Sequence, residues 1–81
     1  MLQKATFGRY SSVIDLQLVM ADGQIYPLSQ IGPDFVILET PRLLSPGSAT
    51  IVMTLDGQER HTHVNLRPTA ETSDLIHTEP A

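Results

Sequence analysis

Residues 49–66 read ATIVMTLDGQERHTHVNL, two alternating runs on either side of Asp56-Gly57. An Asp-Gly pair between such runs marks a two-residue hairpin turn, because a type I′ turn needs positive φ at both central residues. That loop sets the register: Leu55 faces Gln58, Met53 faces Arg60, Ile51 faces Thr62 and Ala49 faces Val64. Side chains alternate across a strand. Ala49, Ile51, Met53, Leu55, Val64 and Leu66 therefore share an apolar face that is expected to be buried. Thr50, Val52, Thr54, Glu59, His61, His63 and Asn65 share the other face, which is expected to be wet. This is the pattern of an antiparallel sheet with one solvated side.

Upstream, Val13 to Met20 (VIDLQLVM) also repeats with a period of two, which predicts a strand rather than a helix. Asp22-Gly23 turns it back. A two-residue loop would pair Met20 with Ile25. A three-residue loop with Gly23 in the left-handed region would pair Met20 with Gln24, Leu18 with Tyr26 and Leu16 with Leu28. The second is preferred because it sets Tyr26 and Leu28 beside Leu18 and Leu16. Pro27 donates no ladder hydrogen bond, so it needs an edge or a bulge. Gly32-Pro33 breaks the pattern. Phe35 to Leu38 (FVIL) is apolar on both faces and predicts a short strand covered on two sides, ended by Pro41. Leu43-Leu44 is expected to tuck against the core before the turn Ser45-Pro46-Gly47. Met1 to Ser12 reads equally well as a short strand or an arm.

After Leu66 the composition shifts to Thr, Glu, Ser, Asp and Pro. Residues 1–67 are read as one small β domain and residues 68–81 as a poorly ordered acidic tail, touching the body at most through Leu75-Ile76. The expected fold is all-β, a small antiparallel barrel or sandwich of five to six short strands with a polar C-terminal tail.

Composition narrows the function. The chain has 81 residues and a net charge of −4. Glu71, Asp74 and Glu79 place most of that charge in the tail, leaving a near-neutral body with few aromatics. Such a balance argues against nucleic acid, which demands several Lys or Arg contacts to phosphate, and against a polybasic membrane contact. With no cysteine and no apolar signal core or membrane-length run, the expected compartment is the cytoplasm. Serines lie outside any nucleophile-elbow context, and phosphate-loop and dinucleotide fingerprints are missing, so no catalysis and no cofactor are expected.

Two sets of residues remain as candidate sites. Glu59, His61 and His63 point the same way along one strand, and two imidazoles with a carboxylate are zinc-type ligands. The alternative for these three is a solvated polar face. His77 falls in the tail.

The second set comes from a resemblance. A strand and turn (VIDLQLVMADGQIYPL), then Ser29-Gln30-Ile31-Gly32, an apolar strand (DFVIL), Leu44-Ser45-Pro46-Gly47 and the hairpin follow the order of a PilZ-type domain over Val13 to Leu66. That family is a small β-barrel whose typical members bind cyclic di-GMP. Ser29 and Gly32 match the end of its Asp/Asn-x-Ser-x-x-Gly motif. The position two before Ser29 is Pro27, and the family's Arg-x-x-x-Arg is absent; Lys4 and Arg9 are the nearby cations. The resemblance thus implies the fold and a protein–protein role of the kind degenerate members have. A cyclic-dinucleotide sensor would require Lys4, Arg9, Ser29 and Gly32 to converge. The leading expectation is a non-catalytic module that binds a protein partner or itself, since surplus apolar residues (Ile25, Leu43, Leu44, Val52) and open strand edges invite pairing.

Overall fold

The computed structural model describes residues 14–81. Six antiparallel strands run β1 Ile14–Met20, β2 Ile25–Ile31, β3 Phe35–Arg42, β4 Gly47–Leu55, β5 Gln58–Leu66 and β6 Ser73–Pro80. They close into a barrel in the order β1-β2-β3-β6-β5-β4. Among the described residues no helix is long and apolar enough to cross a membrane.

The β4–β5 hairpin has the expected register, from Leu55↔Gln58 through Ala49↔Val64. Asp56 (φ 52°) and Gly57 (φ 81°) both lie at positive φ, as a type I′ turn requires. The β1–β2 turn takes the three-residue form: Leu18 faces Tyr26, and the Met20 N–H donates to the Gln24 carbonyl at 2.8 Å. Gly23 holds the left-handed position at φ 93°, and the Asp22 carboxylate accepts from the Gln24 N–H at 3.0 Å.

Pro27 sits where β2 changes partners. Its pairing with β1 ends at Gln17↔Pro27, and pairing with β3 begins at Leu28↔Leu38. The missing donor therefore falls at the hand-over. Ser29 is the extra residue of a bulge between Leu28 and Gln30. On β3, Val36 and Leu38 are buried while Phe35 and Ile37 are half-buried, so the strand has one core face rather than two. Pro41 does not end β3; it lies in the irregular stretch between Ile37↔Leu75 and Arg42↔Ser73.

Leu18, Leu28, Val36, Leu38, Leu44, Ala49, Ile51, Val64, Leu66 and Ile76 form the core. Of the Leu43-Leu44 pair, Leu44 is buried and Leu43 stands out in solvent. Val52, assigned by alternation to the wet face, is buried too, flanked in its row by Gln17 and His61.

The tail reading is corrected. Ser73–Pro80 is a strand, and the β domain runs well past residue 67. β6 bridges β3 (Val36↔Ile76) and β5 (Leu66↔Thr78) and so closes the barrel. Its inward positions are Ile76, 1% exposed, and Thr78, also buried. The pattern was hidden because a threonine fills an inward position while Leu75 points outward; the apolar residues stand side by side instead of alternating.

Candidate functional site

The PilZ-type positions have structural partners of their own. The Ser29 hydroxyl donates to the Ile37 carbonyl across the bulge at 3.3 Å. The Gly32 N–H donates to the Phe35 carbonyl at 2.8 Å, closing the β2–β3 turn. The Phe35 ring fills the space a side chain at residue 32 would need. A glycine here is thus explained by close packing within the chain. Lys4 and Arg9 lie outside the described residues.

Glu59, His61 and His63 share the outer face of β5, as their spacing predicts, but do not converge. His61 Nε2 lies 2.9 Å from Glu59 Oε1. His63 Nδ1 lies 3.1 Å from Thr50 Oγ1 on β4, its cross-strand neighbour. Each imidazole therefore reaches a different partner. No group of three His, Asp or Glu side chains suited to a metal occurs among the described residues.

At one end of the barrel, a cleft of about 270 Å³ lies between the β1–β2 turn and the loop after β3, lined by Met20, Asp22, Tyr26, Leu43 and Ser45 among others. The Arg42 guanidinium stands 4.9 Å from the Tyr26 ring centroid. Such stacking holds the arginine against the barrel wall.

The other end is built differently. β4 pairs with β1 from Ile14 to Met20 and with β5 along its whole length. β2 follows β1 only as far as Gln17, and β6 follows β5 only over Val64–Leu66. Ile14–Leu16, Met53–Leu55 and Gln58–Arg60 therefore continue as a three-stranded arm beyond the closed part of the barrel. The core face runs out onto it through Leu16 and Met53 to Ile14 and Leu55, which are 59% and 42% exposed. A hollow of about 380 Å³ beside this strip is lined by Met53, Leu55, Gln58, Glu59 and Arg60.

Among the described residues, no strand pairs with β5 over Gln58–Thr62. The backbone groups at that edge can be identified. A two-residue hairpin bonds Leu55 to Gln58, and bonded pairs then alternate, so Gln58, Arg60 and Thr62 bond to β4. Glu59, His61 and His63 turn their N–H and C=O the other way. Two contacts agree with this: the His63 carbonyl accepts from the Ala81 N–H at 3.4 Å, and the Arg67 N–H donates to the His77 carbonyl at 3.0 Å. Among the described residues, the backbone groups of Glu59 and His61 have no strand partner beyond β6. Periodicity gave the hairpin's faces, but the arm follows from where β2 and β6 part from their neighbours.

Comparison with known proteins returned no matching family model, no matching curated protein and no matching solved structure.

Proposed function

We propose that this chain is a non-catalytic β-barrel module of the cytoplasm that binds protein through the arm of β1, β4 and β5. The observation that carries the reading is the edge at Glu59 and His61, unpaired among the described residues, beside the exposed strip of Ile14 and Leu55. An unpaired edge offers main-chain hydrogen bonds to an added strand, and an adjoining apolar face supplies burial. The PilZ-type order of motifs supports a protein-binding role of the kind degenerate members have. Ser29 and Gly32 are engaged in turn and bulge geometry, so nucleotide binding forms no part of the proposal.

The test is site-specific photocrosslinking in the protein's own cells. A benzophenone residue replaces Gln58 on the arm or, as control, the exposed Glu39 on β3. A discrete protein adduct from position 58 and none from position 39 supports the module. No adduct from either position, with the chain folded and expressed, removes it.

A further inference from the structure

We propose that the partner strand on the arm is β5 of a second copy, paired antiparallel about Arg60. This rests on the interaction reading above and names its partner.

The edge is self-complementary in one register. Outward backbone groups belong to Glu59 and His61, so two copies bond best when Glu59 faces His61 of the other copy. Symmetry then supplies the same pair twice and sets Gln58 opposite Thr62. Glu59 and His61 already meet at 2.9 Å within one chain, so exchanging partners across the axis retains carboxylate–imidazole contacts. Neighbouring registers are worse. Moving the axis to Glu59 sets His61 opposite Gly57 and so loses both carboxylate–imidazole pairs, with two carboxylates on the axis in place of two guanidinium groups. Moving it to His61 drives Glu59 of the copy against His63, where Ala81 already lies. In the favoured register Gly57, which has no side chain, makes that approach. The length also fits, because the open run Gln58–Thr62 is covered by an equal run from the copy. Two Arg60 side chains meet at the axis; both are exposed, and salt screens their repulsion. The dimer is therefore expected to tighten when Arg60 becomes Gln.

The chain has no cysteine, which makes the register directly testable. Residue 60 is the one position that faces itself. It is a non-hydrogen-bonded pair with Cα atoms about 4.5 Å apart, within disulfide reach. On mild oxidation the Arg60→Cys chain should form a covalent dimer, while Gln58→Cys and Thr62→Cys chains should link only when mixed. His61→Pro removes an outward N–H and should give a monomer by sedimentation, whereas His61→Ala keeps that N–H and should stay dimeric. Circular dichroism of each variant shows whether the fold persists. A native chain that stays monomeric at high micromolar concentration, or Arg60→Cys that links no faster than Gln58→Cys, overturns the proposal. A crosslink from position 58 to a different protein overturns self-pairing and leaves the binding module standing. No adduct at all removes both.

Discussion

The Phe35 ring occupies the space where a side chain at residue 32 would stand, and the Gly32 N–H is bonded to the Phe35 carbonyl. One residue thus packs on the other and closes the β2–β3 turn with it. Gly32→Ala should destabilise the fold by about 1–3 kcal/mol, the usual cost of forcing volume into a filled site. Urea unfolding measures it. Adding Phe35→Leu should recover part of that loss, because the smaller side chain vacates the space. An unchanged midpoint for Gly32→Ala would show that the ring gives way without cost.

Gly57 presents the opposite case. A side chain there meets nothing within 4 Å, yet its φ is 81°. The cost of Gly57→Ala is therefore in the backbone, on the order of 1–2 kcal/mol. Gly57→Asn should cost less, because asparagine tolerates the left-handed region. Thermal midpoints of the two variants should rank in that order.

Ile76 carries the closure of the barrel. It is almost fully buried, on a strand that pairs with both β3 and β5. Ile76→Ala should cost about 2–5 kcal/mol and Ile76→Val about 0.5–1.5. Small domains have little stability to spare, so the alanine variant is expected to be largely unfolded at room temperature. Amide dispersion in a two-dimensional NMR spectrum distinguishes the two.

Zinc should leave the thermal midpoint where it is. A metal that binds only the folded state must raise it. His63 is held by Thr50 and His61 by Glu59, so the two imidazoles do not share one centre. A midpoint that climbs with zinc concentration would mean that His63 leaves Thr50 to join them.

The two proline variants of β5 make a separate test of strand geometry. Thr62→Pro removes an N–H that bonds to β4 and should destabilise by about 1–3 kcal/mol, the cost of leaving a ladder carbonyl without its donor. His61→Pro removes an N–H at the open edge and should be milder. Chemical denaturation of both at low protein concentration reads the difference; equal losses would mean that the outward assignment of His61 is wrong.

Local chemistry determines much of this protein without any tertiary contact. Asp56-Gly57 admits one tight turn, and from it follows every pair along β4 and β5, because a short loop leaves the strands no freedom to slip. Asp22 and Gly23 do the same for the start of β1–β2. Ser29 and Gly32 matched a motif in sequence, but only the fold showed one in a bulge and the other under Phe35. The strand nature of 73–80 was likewise decided by tertiary structure. Leu75 and Ile76 carry no legible alternation, and β6 forms because β3 and β5 leave a gap that Ile76 and Thr78 fill. The arm has the same origin. Where β2 leaves β1 and where β6 leaves β5 depends on pairings between residues far apart in the chain, and no window of neighbouring residues encodes those distances.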